Sequence, residues 1–212
     1  MRVIRAARFA GLAALLALAL GGTVLQPGLA VAEAWEPRQA WLQRHGLRWM
    51  GGGWLGLVAV FAWMVFLVAL MHHYVPAHRI ATHLQMGLML MGALLLVVGI
   101  LVWMGVLPAV EDGATVLLVD RLALTLMGGG LFMAGAVTAW IGLDLGRLQK
   151  LPWRWLWPGI LAGLATTPSP FLLPGGAHLT MALALWIVWC GVFAFRRRLP
   201  PPFPEYQAEA GK

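Results

Sequence analysis

Long apolar runs without charge recur along this chain, at Met50 to Leu70, Leu84 to Val106 and, with Arg121 as its only charged residue, Arg121 to Leu143. A helix needs about 20 residues at 1.5 Å rise to cross the hydrocarbon of a bilayer, and each run is long enough. Two more follow. Trp155 to Leu173 is interrupted late by prolines, while His178 to Phe195 is uninterrupted. With 61% hydrophobic and 11% charged residues the chain departs far from soluble domains, in which about a quarter of residues are charged. The fold class expected is an all-α, polytopic transmembrane helix bundle with five spans.

The N-terminus carries Arg2, Arg5 and Arg8, then the apolar stretch Phe9 to Leu20, then Ala30, Ala32 and Ala34 at small-x-small spacing. This pattern reads as a cleavable secretory signal, with the mature chain beginning at Glu33 or Trp35. The competing reading is an uncleaved anchor helix from Phe9 to Leu25, which makes six spans. The resulting division is a signal peptide over 1–34, an outer interfacial segment over 35–48, a transmembrane domain over 49–198 and a Pro-rich cytoplasmic tail over 199–212.

Loop charges give the expected orientation, because Lys and Arg accumulate on the cytoplasmic side. Arg79, the group Arg147, Lys150 and Arg154, and the run Arg196 to Arg198 fall in alternate loops, whereas Glu111 and Asp112 fall in the opposite one. A bacterial-type inner membrane with the N-terminus outside after cleavage and the C-terminus cytoplasmic follows. Arg38, Arg44 and Arg48 run against the rule, and with Trp41, Leu42, Leu47 and Trp49 they read as a helix lying on the outer surface. Trp49 and Trp54 mark one interface, and Trp140, Trp153, Trp155 and Trp157 the other. The net charge of +7 sits at the ends of apolar runs rather than along one exposed face, which argues against nucleic-acid binding.

Small residues at helical spacing, Gly52 and Gly56, Gly130, Ala134 and Thr138, Ala162 and Thr166, are expected at close helix contacts. Cys190 is the only cysteine, so neither an internal disulfide nor a thiolate cluster can form. Asp144 is placed to accept from Arg147 at i+3, and Asp120 and its neighbour Arg121 are expected to find separate partners.

Four of the six histidines, His72, His73, His78 and His83, gather around one bend at Pro76. A proline suits the first turn of the second helix, so the bend holds imidazoles from two antiparallel helices near one another. That arrangement could hold haem b iron or copper. His78 and His83 are five residues apart, about 140° around a helix, so the expected pairing is His72 or His73 with His83. The competing account is interfacial imidazoles bonded to water and headgroups. His178 opens the last apolar run just after Pro168, Pro170 and Pro174, and is a second cofactor-binding candidate, with His45 as a neighbour on the same side. Met86, Met89, Met91 and Met104 suit Cu(I) by chemistry but do not share one helical face.

No phosphate-binding glycine loop, H-E-x-x-H pair or serine elbow occurs, and no catalytic residue is assigned. The expected function is an accessory subunit of a respiratory or metal-handling membrane complex, with other membrane subunits and the bilayer as partners. The alternatives are a structural or assembly subunit without cofactor, and a small-solute or metal-ion transporter built around the broken fourth run.

Overall fold

The structure, a computed structural model, describes residues 2–31, 35–76, 79–174, 176–197 and 199–201. Among these residues it is all-helical, with α1 (Arg2–Thr23), α2 (Gln26–Leu29), α3 (Trp35–Arg44), α4 (Gly46–Tyr74), α5 (Ile80–Gly105), α6 (Gly113–Arg147), α7 (Trp153–Thr166), α8 (Ser169–Leu172) and α9 (Ala177–Ala194). A 3₁₀ turn, Leu107–Ala109, follows α5. Five helices are long and apolar enough to cross a membrane: α1, α4, α5 with its 3₁₀ turn, α6 and α9.

That count equals the expected one, but its members differ. The first helix belongs to it, and α7, at 14 residues, does not. Pro168 and Pro170 explain the short α7, since each lacks an amide donor and obstructs the turn before it. The signal-cleavage junction at Ala32, Glu33 and Ala34 lies outside the described residues, as do Arg198 and the tail beyond residue 201.

Levels within the bundle follow from its glycines. A Cβ at Gly146 of α6 would lie 2.6 Å from Trp153, one at Gly163 would lie 2.5 Å from the carbonyl of Gly135, and one at Gly128 would lie 3.1 Å from Pro170. α7 and α8 therefore run antiparallel along α6 from residue 146 to residue 128, about 27 Å at 1.5 Å per residue. That nearly matches the hydrocarbon thickness. The 35-residue α6 continues beyond it, and this projecting N-terminal part meets the 3₁₀ turn and, through Asp120 and Arg38, α3. Leu42, Trp49, Leu107, Val116 and Val119 form a separate small core there. Asp112 starts α6 by accepting from the amides of Ala114 and Thr115 at 3.3 and 2.9 Å, a side-chain cap on otherwise unpaired donors.

The main core lies between α1, α4, α6, α7 and α9. Phe66 of α4 packs edge-on against Trp186, Trp189 and Phe193 with ring centroids 5.3 to 5.6 Å apart. On α1, Ala6, Ala7, Ala10, Ala13 and Ala14 make a buried face against α4 and α9. Small side chains suit this contact, because in lipid close backbone approach replaces apolar burial as the source of association.

Candidate functional site

At the Pro76 bend the described candidates have different surroundings. His83 and Leu84 are exposed on α5 while Thr82 and Gln85 are buried, so His83 points away from the bundle. Its Nδ1 lies 3.1 Å from the Arg79 carbonyl. If Nδ1 carries the proton it donates there, which leaves Nε2 as the free lone pair. His72 is exposed, and His73 meets the Tyr74 ring edge-on at 4.7 Å. His78 lies outside the described residues. Among those described, no group of three or more His, Cys, Asp or Glu side chains is placed to hold a metal.

The buried polar pair at this end is Gln85 and Asp144. Gln85 Nε2 donates to Asp144 Oδ2 at 2.8 Å, and Arg79 Nη1 stands 3.8 Å from the same oxygen. Asp144 therefore bonds across to α5 and not to Arg147, as its i+3 spacing suggested. An acid facing a neighbouring helix with a matched amide gains more than one facing water at a helix end. Among the described residues, Gln85 Oε1 and Arg79 Nη1 have no hydrogen-bond partner.

The opposite end holds a second buried pair. Arg38 of α3 donates through Nη1 and Nη2 to both oxygens of Asp120 at 2.6 and 3.0 Å, and through Nε to the Gly28 carbonyl at 2.7 Å. Trp103 Nε1 donates to Asp120 Oδ1 at 2.6 Å. α3 is thus clamped to the bundle through Arg38 and Leu42, its buried residues. A buried carboxylate needs a charge partner, and Arg38 supplies it. His45 stacks on Trp41 at 5.2 Å, whereas His178 bonds elsewhere, so the structure gives these two histidines different partners.

His178, in the first turn of α9, lies with Nε2 3.0 Å from Ser169 Oγ. Ser169 is fully buried and its hydroxyl donates to the Thr166 carbonyl at 2.7 Å. Thr166 in turn lines a cleft of about 220 Å³ between α1, α4, α5, α6, α7 and α9, with Ala14, Trp63, Ala134, Thr138 and Trp186 among its walls. The cleft is apolar. Three of its polar groups are occupied within the protein: Trp63 Nε1 donates to Thr138 Oγ1 at 3.0 Å, Thr138 to the Ala134 carbonyl at 2.6 Å, and Thr166 to the carbonyls of Ala162 and Gly163.

The proline-rich stretch before His178 drew attention in the sequence, but the Ser169 contact with His178 did not. Nine residues separate them across the interrupted α7–α9 connection, and only the fold of that connection closes the gap. Gln85 with Asp144 and Arg38 with Asp120 were missed for a similar reason. The available signal was chemical: a lone carboxylate within an apolar run requires a donor from another helix. The chain matches none of the family models, curated proteins or solved structures with which it was compared.

Proposed function

We propose that this protein is an integral-membrane subunit that binds an apolar chain in the cleft beside Trp63 and Trp186. The cleft is the observation that carries this reading. An apolar void between helices stays dry, its lining forfeits dispersion contacts on the open side, and a hydrocarbon chain restores them. Sites of this kind occur preferentially between the helices of bundles. With the Trp63 indole and the Thr138 and Thr166 hydroxyls already bonded within the protein, a hydrocarbon chain fits beside them without stranding these groups.

Native mass spectrometry of the detergent-purified protein tests the reading. A bound lipid adduct is expected, and Ala134→Phe or Ala182→Phe, which fill the cleft, should remove it while the helical spectrum persists. Adduct retention in both filled variants would defeat the proposal.

Ala14 places α1 in the wall, so this function requires α1 to remain with the bundle. Support comes from its alanine face and from Arg8 Nε, which donates at 3.1 Å to the Ala194 carbonyl at the end of α9. Intact-protein mass should then include residues 2–31. We also read the Pro76 bend as cytoplasmic in a bacterial-type inner membrane. Arg2, Arg5 and Arg8 at the start of α1, Arg79, Arg147, Lys150, Arg154, Arg196 and Arg197 support this, all belonging to the same bundle end. Reporter fusions at Arg79 and Asp112 should report opposite sides.

A second reading keeps haem b or copper at the bend, shared with a partner subunit. It is favoured by the outward Nε2 of His83, which the Arg79 carbonyl leaves available when Nδ1 bears the proton. A Soret band or bound copper lost in His83→Ala would support it.

A further inference from the structure

Arginines collect at the bundle end where α1 begins and α9 finishes. Arg2, Arg5 and Arg8 are exposed on α1 at three-residue spacing, and Arg154, Arg196 and Arg197 are exposed on α7 and after α9. Two of the six are held in place. Arg8 Nε donates to the Ala194 carbonyl at 3.1 Å, which leaves its two terminal nitrogens as donors. The Arg196 guanidinium lies over the Trp155 ring at 4.5 Å, a stacking that leaves its edge open. The ion pairs formed among the described residues are Arg38 with Asp120 and Arg79 with Asp144, so Arg5, Arg8 and Arg196 have no carboxylate partner there. Asp144, the one acid among the described residues at this end, is buried and bonded to Gln85. Past the arginines the same exposed side of α1 turns apolar, with Phe9, Leu12, Leu16 and Leu20 between 39% and 57% exposed. From Phe9 to Leu20 this strip runs about 16 Å at 1.5 Å per residue, close to one leaflet of a hydrocarbon core about 30 Å thick. It faces away from the alanine side of α1 that packs on α4 and α9.

We propose that this outward side of α1 binds an anionic phospholipid, its head held by Arg5, Arg8 and Arg196 and an acyl chain laid along Phe9, Leu12 and Leu16. Guanidiniums donate to phosphate oxygens in charge-assisted hydrogen bonds, and each basic group beside an anionic head adds about fivefold in affinity. A free phosphate would use the arginines alone. The apolar strip that starts at Phe9, next to Arg8, singles out a lipid, whose chain then lies at hydrocarbon depth while its head meets the charge. The site is separate from the cleft, which lies on the other side of α1, and shares with it only the need for α1 to stay in the bundle.

The test uses the full chain in detergent, its intact mass confirming α1, titrated by native mass spectrometry with dioleoyl phosphatidylglycerol and dioleoyl phosphatidylcholine. These probes share their tails and differ in net charge. Phosphatidylglycerol should bind at least about tenfold more tightly, on the scale of two basic groups. Arg5→Gln with Arg196→Gln, which spares the Arg8 bond to Ala194, should remove most of that preference and leave phosphatidylcholine binding in place. Arg44→Gln with Arg48→Gln takes the same charge from exposed positions at the other end and should leave the preference intact. Glycerophosphoglycerol, the head without tails, should not displace the lipid. Equal binding of the two lipids, equal loss in the two double variants, or displacement by the tail-less head overturns the proposal. Ala182→Phe, which fills the cleft, should leave the preference unchanged. A preference lost in that variant would put the lipid in the cleft, overturning the α1 site while the cleft reading stands.

Discussion

Arg38 and Asp120 are eighty-two residues apart in the chain and close a two-pronged ion pair at 2.6 and 3.0 Å, with only 3% and 4% of the two side chains exposed. Both charges also reach a second partner, the Gly28 carbonyl for Arg38 and the Trp103 indole for Asp120. The pair thereby joins α2, α3, α5 and α6 at one end of the bundle. Planar, bidentate guanidinium geometry suits this role, which an ammonium cannot reproduce.

Removing one member should cost far more than removing both. Arg38→Met strands a buried carboxylate, and a loss of about 3 kcal/mol is expected, read as a lower unfolding temperature in detergent. The double variant Arg38→Met with Asp120→Leu should recover most of that loss, because neither charge is then left uncompensated. A double variant as unstable as the single one would show that the clamp holds through geometry that hydrocarbon cannot replace.

The glycines divide by what surrounds them. A Cβ at Gly163 would lie 2.5 Å from the Gly135 carbonyl and 2.6 Å from the Ala139 amide, both backbone atoms that cannot turn aside. Gly163→Ala should therefore force α6 and α7 apart and cost about 1–3 kcal/mol. Gly87 has nothing within 4 Å of the same position. Gly87→Ala should stabilise α5 by up to about 1 kcal/mol through helix propensity alone. Thermal unfolding of the two variants side by side checks both signs.

Helices were legible in the sequence wherever one-dimensional pattern decides them. The apolar run Met50 to Leu70 sits within α4, which extends to Gly46 and Tyr74 because no proline or turn residue stops it before Pro76. Pro168 and Pro170 likewise marked the end of α7. Partnerships between helices were not legible. Asp144 has Arg147 one turn away on its own helix, yet its hydrogen-bond partner is Gln85 of α5, chosen by the facing of two helices. Trp186, Trp189 and Phe193 share a helical face by spacing, but only the packing shows that Phe66 fills the space among them.

Asp112 carries a pH signature at the start of α6. The hydroxyl and amide of Thr115, with the Ala114 amide, hold its carboxyl below the ordinary value of 3.8. The unfolded chain then takes up the proton before the folded one. The cap contribution is complete above pH 3.8 and is lost as pH falls through the lowered folded value. Asp112→Ala should lower the unfolding temperature at neutral pH. Its difference from the parent protein should shrink on acidification, which melting curves across that range would show. Asp112→Asn, still able to cap, should fall between them.

Gln85 and Asp144 allow charge and hydrogen bonding to be separated within one pair. Asp144→Asn keeps an acceptor for Gln85 Nε2 at 2.8 Å and removes only the charge opposite Arg79, whose side chain is 32% exposed and can turn toward water. Its cost should stay under about 1 kcal/mol, because the 3.8 Å contact is long and the Arg79 side chain is partly open to water. Gln85→Leu instead leaves the buried Asp144 carboxylate without its donor, and about 1–3 kcal/mol should be lost. Asp144→Leu strands the Gln85 amide, since its Nε2 loses its acceptor and its Oε1 has no partner among the described residues. Unfolding temperatures should therefore fall least for Asp144→Asn and clearly further for the two leucine variants. If Asp144→Asn proves the most damaging, the 3.8 Å contact with Arg79, and not the amide bond, holds α5 against α6 at this end.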